Sequence, residues 1–228
     1  MRVEIWADVV CPWCYIAYHR LSEALTRFDG RDDVEVVYHS FELDPGRQIE
    51  PVAVFLARRY GQQGPQMDEQ VAQRARLEGL NYRTDRKVGS TLDAHRLLHW
   101  AKTQGRQQSL LNVLLAMNFG QAQSIFTRDA LVEAATKAGL SAGEADDVLD
   151  DPQAFLRAVR NDVAAAHEIG ATGVPFVLID GGAALSGAQP VSAYLDALQS
   201  AAAITETCTE QGTEAVDGLL CVLDADCQ

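Results

Sequence analysis

The chain has 228 residues, 47% of them hydrophobic, and a net charge of −13. This length and composition suit one well-packed domain, or one domain carrying a large insertion. The acidic balance argues against nucleic acid as a partner, because phosphate binding requires a basic surface. No apolar run approaches the roughly 18 residues of a membrane span, and MRVEIWAD at the start has no signal-peptide character. We therefore expect a cytoplasmic protein with no membrane partner.

The first predicted elements form a strand–helix–strand unit. Residues 2–9, RVEIWADV, contain β-branched and aromatic side chains that predict a strand. Residues 11–28 repeat apolar side chains at helical spacing, and Pro12 suits a first helical turn, where its missing N–H costs nothing. Residues 33–43, DVEVVYHSFEL, predict a second strand. Because a helix connects the two strands, we expect them to pair in parallel.

A long helical segment is predicted next, from Pro51 to about Gly170, with six or seven helices separated by short breaks. Strands return at residues 173–180, GVPFVLID, and at 183–187, AALSG. The turn DGG between them is typical of a hairpin. A last helix, PVSAYLDALQSAAA, follows.

This element order predicts an α/β fold that carries a large all-helical insertion. The outer segments, 1–48 and 168–204, are expected to form one small α/β domain. Residues 49–167 are the predicted helical insertion domain. Residues 205–228 form a separate acidic tail with six acids and no Lys or Arg.

The five cysteines are confined to the two ends of the chain. Such a distribution does not suit a framework of structural disulfides, and disulfides of cytosolic proteins are usually transient and catalytic. Three cysteines lie in the acidic tail, at Cys208, Cys221 and Cys227. The other two, Cys11 and Cys14, form the sequence CPWC.

The CPWC pair follows a predicted strand and opens a predicted helix. Unpaired backbone N–H groups and the helix dipole stabilise a thiolate at this position and lower its pKa. The pattern predicts that Cys11 attacks a substrate disulfide and that Cys14 resolves the mixed disulfide. Zinc ligation and inert burial stay open as alternatives. Zinc usually needs a second ligand pair, and the tail cysteines or His95 and His99 are weak candidates, so we predict no metal site.

Pro175 opens a predicted strand, although proline has no N–H for the ladder. We interpret the Val174–Pro175 bond as cis, which leaves the preceding backbone free to pair with an extended substrate. The alternative is an ordinary strand-opening proline. Trp13 and Phe176 are expected to be exposed beside the cysteines as part of an apolar surface. The predicted substrate-binding residues are Pro12, Trp13, Val174 and Phe176.

Several polar residues near these motifs are further candidates. Asp8 has three open interpretations: it accepts N–H bonds from the active-site turn, it raises the pKa of the buried cysteine, or it faces water at a strand end. Glu42 is interpreted as a solvent-facing position rather than as a proton shuttle for Cys14. His39 is expected to be a hydrogen-bonded core histidine. Helix packing is the main role expected of His99 and Trp100 in DAHRLLHW.

Taken together, CPWC on a strand–helix turn, GVPFVLI near the other end and a helical segment between them resemble the DsbA family of thioredoxin-fold proteins. DVVCPWCYIA, HSFELDP and DAHRLLHWA are similar, more narrowly, to its FrnE-like branch. The resemblance covers about residues 2–200. It implies a thiol–disulfide oxidoreductase or disulfide isomerase without a cofactor. Cys11 and Cys14 would be its redox pair and Pro175 its cis-proline. Its partners would be substrate proteins and a thiol reductant such as glutathione or thioredoxin.

One departure from the family pattern concerns Trp13. Periplasmic DsbA has a histidine there, which stabilises the thiolate better than an indole, so we expect a pair less oxidising than DsbA. In the tail, Cys221 and Cys227 are predicted to form a second redox pair, and incidental thiols are the alternative. Two other functions stay open: a glutathione-dependent isomerase of small aromatic compounds, and a metal-binding or chaperone module. Such isomerases typically have serine in place of the nucleophilic cysteine.

Overall fold

The computed structural model describes residues 1–212, with side chains described up to residue 204. The strands are β1 (Arg2–Ala7), β2 (Glu35–Ser40), β3 (Glu50–Pro51), β4 (Lys87–Val88), β5 (Phe176–Ile179) and β6 (Ala183–Ser186). The first helices are α1 (Pro12–Arg27), α2 (Val52–Tyr60), α3 (Gly64–Leu77), α4 (Leu92–Thr103) and α5 (Gln107–Leu115). A π-helical turn, Ala116–Gly120, extends α5. The last helices are α6 (Arg128–Lys137), α7 (Ala142–Asp150), α8 (Leu156–Glu168) and α9 (Val191–Gly212).

The central sheet has four strands in the order β2-β1-β5-β6. Strands β1 and β2 are parallel, with Ile5 opposite Tyr38. Strand β5 is antiparallel to β1, with Ile5 opposite Val177, and β6 completes the hairpin. The predicted βαβ unit and the predicted hairpin are therefore both confirmed. The mixed sheet with its helical insertion is the predicted fold class.

The insertion contains the seven helices α2 to α8 among the residues that the structure describes. One expectation about it is wrong: the segment is not helical throughout, because β3 and β4 form a small antiparallel sheet that pairs Glu50 with Val88. Each of these strands has two residues, which is too short to show the alternating pattern by which a strand is recognised. Helix α9 continues beyond residue 204, so the expected start of the tail lies inside a helix.

The sheet separates two apolar clusters, as the alternation of side chains along β1 requires. Ile5 and Val177 belong to the larger cluster, which includes both active-site cysteines and continues into the insertion through Leu97 and Leu110. Trp6 points to the opposite face. There it packs with Phe41, Ala166, Ala171 and Phe176. The insertion thus shares one continuous core with the sheet.

A polar cluster around Asp162 of α8 also joins the sheet to the insertion. The Asp162 carboxylate accepts a hydrogen bond from the Ser40 N–H at 2.7 Å and lies 2.8 Å from His39 Nδ1 and 2.9 Å from His99 Nε2. Burial alone would raise the pKa of Asp162, but the hydrogen bonds from these partners hold it well below its usual range. His39 also contacts Glu4 and stacks on Trp6, so the prediction of a hydrogen-bonded histidine is confirmed.

Among the described residues, no helix is long and apolar enough to span a bilayer.

Candidate active site

The turn between β1 and α1 holds the cysteine pair. Cys11 caps α1 with an extended backbone, φ −80° and ψ 118°, and its carbonyl accepts hydrogen bonds from the N–H groups of Cys14 and Tyr15 at 3.1 and 3.2 Å. Pro12 occupies the first helical turn, as predicted, and no acidic residue lies in that turn. Both cysteines are free thiols, with Cys11 5% exposed and Cys14 2% exposed.

The two thiols differ in their ionisation. A hydrogen bond from the Cys14 side chain lowers the pKa of Cys11, and this outweighs burial, which acts in the opposite direction. The backbone N–H groups of Cys14 and Trp13 lower the pKa of Cys11 further. Burial raises the pKa of Cys14 well above its usual range, and the sulfur of Cys11 adds to the rise. The arrangement favours a thiolate on Cys11 and a neutral thiol on Cys14.

The Val174–Pro175 peptide bond is cis, which confirms the expected conformation. The carbonyl oxygen of Val174 lies 3.9 Å from the Cys11 sulfur, so the proline segment faces the cysteine. Trp13 is 44% exposed beside the pair, as expected.

The expectation that Phe176 is exposed beside the cysteines is wrong. Phe176 is 8% exposed and packs edge-on against Trp6, with 6.2 Å between ring centroids. It is the first residue of β5, and its side chain enters the cluster on the far face of the sheet, while Val177 faces the active-site side. Phe176 is therefore a core residue.

Asp8 is buried beneath the active-site turn, which settles the alternatives left open by the sequence. Its carboxylate accepts hydrogen bonds from the N–H groups of Leu43 at 2.8 Å and Val10 at 3.3 Å. His95 of α4 places Nε2 3.4 Å from the same carboxylate. The negative charge of Asp8 raises the pKa of both cysteines.

Glu42 does not face solvent freely, contrary to the sequence interpretation. It is half-buried beyond the end of β2, and its Oε2 atom is buried without a hydrogen-bond partner. Burial raises the pKa of the Glu42 carboxyl, and the nearby charge of His95 opposes the rise. In α4, Trp100 is buried and His99 contacts Asp162, so both side chains belong to the packing, as expected.

Two functional features escaped the sequence reasoning. Asn118, in the π-helical turn, donates a hydrogen bond to the Val9 carbonyl at 3.2 Å and so braces the active-site turn from the insertion. A cavity of about 290 Å³ opens beside Cys11 and Trp13, against α2, α3 and β4. No local pattern marks either feature, because each arises where distant segments meet.

Among the described residues, no group of three or more His, Cys, Asp or Glu is placed to hold a metal ion. Cys221 and Cys227, with the predicted second redox pair, lie outside the described residues, and the side chain of Cys208 does too. That pair stays a prediction.

Taken together, a mixed sheet that carries a CPWC pair at a helix N-terminus, with a cis-proline segment beside the first cysteine, defines a thioredoxin-fold protein of the thiol–disulfide oxidoreductase class. The family model for the DSBA-like thioredoxin domain matches residues 2–199. The chain therefore belongs to this family, as its sequence resemblance predicts.

Solved structures agree with this assignment. A probable DsbA oxidoreductase from Streptomyces coelicolor is 43% identical, with a TM-score of 0.85, over 99% of this chain and 94% of its own. The cytosolic disulfide reductase DsbM from Pseudomonas aeruginosa is 21% identical (TM-score 0.58), over 92% of this chain and 100% of its own. A 2-hydroxychromene-2-carboxylate isomerase is 15% identical (TM-score 0.62), over 94% and 100%. The similarity to the last two structures shows that they have the same fold as this chain. A comparison with curated proteins found no match.

Proposed function

We propose that this protein exchanges disulfides with protein substrates, as an oxidoreductase or disulfide isomerase, with Cys11 as the nucleophile and Cys14 as the resolving thiol. The observation that carries the proposal is the opposite perturbation of the two thiols within one helical turn. The attacking group must be a thiolate, and the resolving group must stay protonated until the mixed disulfide has formed. The lowered pKa of Cys11 and the raised pKa of Cys14 support these two roles.

The proposed reaction has two steps. The Cys11 thiolate forms an S–S bond with one substrate sulfur, and the substrate's own S–S bond breaks, with the electron pair leaving on its second sulfur. Cys14 then attacks the sulfur of Cys11, which forms the Cys11–Cys14 disulfide and releases the first substrate sulfur as a thiol. The Cys14 proton and one from solvent end on the two substrate thiols. Reversal of these steps would oxidise a dithiol substrate.

The substrate backbone is proposed to run beside the cis-proline. Pro175 presents no N–H there, and the Val174 carbonyl, next to the Cys11 sulfur, can accept a hydrogen bond from an extended chain. Pro12 and Trp13 supply apolar surface beside the same sulfur. Phe176 has no part in this proposal because it is buried on the other face of the sheet.

A turnover cycle needs a second thiol partner. We propose a small thiol such as glutathione, or thioredoxin, as the reductant, and a cytosolic setting. The related fold of DsbM, a cytosolic disulfide reductase that has also been solved with GSH, is compatible with both. Membership of the FrnE-like branch and electron exchange with Cys221 and Cys227 are further parts of the proposal, and they rest on sequence alone.

Reduction of insulin by dithiothreitol, with refolding of scrambled ribonuclease as a second assay, tests this function. We expect the wild-type protein to accelerate both reactions and Cys11→Ser to abolish the acceleration. Full activity in Cys11→Ser would contradict the proposal. The same variant separates the alternative of a glutathione-dependent isomerase of small aromatic compounds, for which a serine at this position is compatible with activity.

A further inference from the structure

The cavity beside Cys11 has an apolar wall supplied by the insertion. Phe55 and Leu56 of α2, Val71 of α3 and Val88 of β4 line it, opposite the active-site turn. Four large apolar side chains at the cavity are between 44% and 49% exposed. They are Trp13, Leu43, Tyr60 and Met67. Exposed apolar side chains gathered around a concave site mark a binding surface rather than ordinary surface variation.

Two of the arginines in the cavity wall are neutralised by carboxylates. Arg86 is buried and donates to both oxygens of Asp68, at 2.7 and 2.9 Å. Arg47 pairs with Asp44 and lies over the Phe55 ring, 3.6 Å from its centroid.

The third arginine of the wall is Arg59. Within residues 1–204, whose side chains the structure describes, Arg59 has no carboxylate partner, and its guanidinium lies 5.7 Å from the centroid of the exposed Tyr60 ring. Its neighbour Arg58 lies outside the cavity and pairs with Glu50. The cavity beside Cys11 therefore combines an apolar wall with one arginine, Arg59, that has no carboxylate partner among the described side chains. The remaining carboxylate of the lining, Asp8, is buried beneath the active-site turn, where it accepts backbone N–H bonds.

We propose that this cavity is a substrate subsite for polypeptides: it takes a large apolar side chain adjacent to the reacting cysteine, and Arg59 pairs with an acidic residue further along the same segment. The inference rests on the proposed function and names its substrate class. A volume of about 290 Å³ accommodates one large side chain with part of its backbone. The exposed apolar side chains around the cavity give the rest of an extended chain further surface to contact, which favours a polypeptide as the occupant.

Peptides with one cysteine in a mixed disulfide with 5-thio-2-nitrobenzoate test the subsite. Attack by Cys11 forms a Cys11–peptide disulfide and releases the coloured thiolate, whose absorbance reports the rate. Four peptides are compared, with Cys followed by Leu-Glu, Leu-Gln, Leu-Lys or Gly-Glu. For the wild-type protein we expect Leu-Glu to react about tenfold faster than Gly-Glu and about fivefold faster than Leu-Lys. The ratio of the Leu-Glu rate to the Leu-Lys rate should fall with added salt.

Two pairs of variants on α2, each a cavity residue with a matched control outside the cavity, test which side chains cause these preferences. Arg59→Glu should invert the preference between Leu-Glu and Leu-Lys, while Arg58→Gln keeps it. Leu56→Ser should reduce the preference for Leu over Gly about threefold or more, while Val54→Ser, at an exposed position outside the cavity, keeps it. Reaction with 5,5′-dithiobis(2-nitrobenzoate) reports whether Cys11 remains reactive in each variant.

If the ratio of the Leu-Glu and Leu-Lys rates is unchanged in Arg59→Glu while Cys11 is still reactive, the proposed subsite is overturned. Equal rates of the wild-type protein with all four peptides would overturn it too. A preference for negative charge seen with non-peptide carboxylate disulfides, but not with the peptides, would overturn the polypeptide as its occupant. Each of these results would leave disulfide exchange at Cys11 standing. A wild-type protein that reacts with none of the peptides would contradict the proposed function itself.

Discussion

At the residue scale, the surroundings of Cys11 and Cys14 shift the pKa values of two chemically identical side chains in opposite directions. The CPWC sequence at a predicted helix start was sufficient to predict the position of the pair. It was not sufficient to predict what lies beneath it, because Asp8 and His95 come from segments that are distant in sequence and meet only in the folded core. The charge of Asp8 acts against thiolate formation at both cysteines.

Asp8→Asn should therefore lower the pKa of Cys11, because it removes a negative charge, while its one amide oxygen can keep the shorter of the two hydrogen bonds, from the Leu43 N–H, and gives up the longer one from Val10. The rate of alkylation of Cys11 by iodoacetamide, followed against pH by mass spectrometry, measures this pKa. The midpoint should lie below that of a free cysteine in the wild-type protein and lower still in the variant. Asp44→Asn, at a carboxylate paired with Arg47, is the control and should leave the midpoint in place. A rise in the midpoint for Asp8→Asn would refute the assignment.

Trp13 is expected to set the redox potential of the pair. Only its backbone N–H contributes to the lowered pKa of Cys11, and its ring is largely exposed. A histidine there would stabilise the thiolate and hence the reduced state, so Trp13→His should make the protein more oxidising. Equilibration with glutathione buffers should place the wild-type potential below the roughly −120 mV of DsbA, and the variant closer to it. A wild-type reduction potential equal to that of DsbA would contradict the prediction.

At the element scale, the predictable parts are those with local patterns. The β-branched and aromatic residues of β1, the helical period of α1 and the turn between β5 and β6 all lie within single segments, and the elements predicted from them are confirmed. The β3–β4 pair was missed because each strand is only two residues long. Phe176 was misplaced because the sequence does not reveal which face of the sheet carries α1.

The turn between α2 and α3 depends on a glycine. A Cβ atom added to Gly64 would lie 2.2 Å from the carbonyl oxygen of Leu56, in the wall of the proposed subsite. Gly64→Ala should therefore destabilise the protein by about 1–3 kcal/mol and weaken the preference for apolar substrates. Gly143→Ala in α7, where the nearest atom would be 3.9 Å away, should be neutral or stabilising by up to about 1 kcal/mol. Urea unfolding compares the two, and equal stabilities would contradict this account of the turn.

At the scale of the whole molecule, the insertion and the sheet are joined by apolar and polar contacts. They share the main apolar cluster, Asn118 braces the active-site turn, and Asp162 of α8 meets His39 and His99. His39 and Asp162 are 123 positions apart in the sequence, so no local pattern could predict their contact. The sequence predicted that an insertion exists, and the structure adds how it supports the active site.

Asp162→Asn should destabilise the whole protein by about 1–3 kcal/mol at neutral pH, because buried hydrogen-bond donors lose their ionised acceptor. The pKa of Asp162 is lowered in the folded state. The stabilisation that ionised Asp162 gives to the folded protein is therefore fully present above the unfolded-state pKa of about 4. It is lost as the pH falls through the lower folded-state pKa. Urea unfolding of both proteins between pH 7 and pH 3 measures this. The difference in free energy of unfolding between the wild-type protein and Asp162→Asn should persist down to about pH 5 and then shrink. A difference that grows on acidification would contradict the lowered pKa of Asp162.

Trapping of the mixed disulfide decides whether Cys11 attacks the substrate and Cys14 resolves the intermediate. A Cys14→Ser protein is mixed with an oxidised substrate, quenched with acid and digested, and the linked peptides are identified by mass spectrometry. We expect the substrate to accumulate on Cys11 and the Cys11→Ser protein to trap none on Cys14. Substrate linked mainly to Cys14 or to a tail cysteine, or no linked substrate at all, would contradict these roles of Cys11 and Cys14.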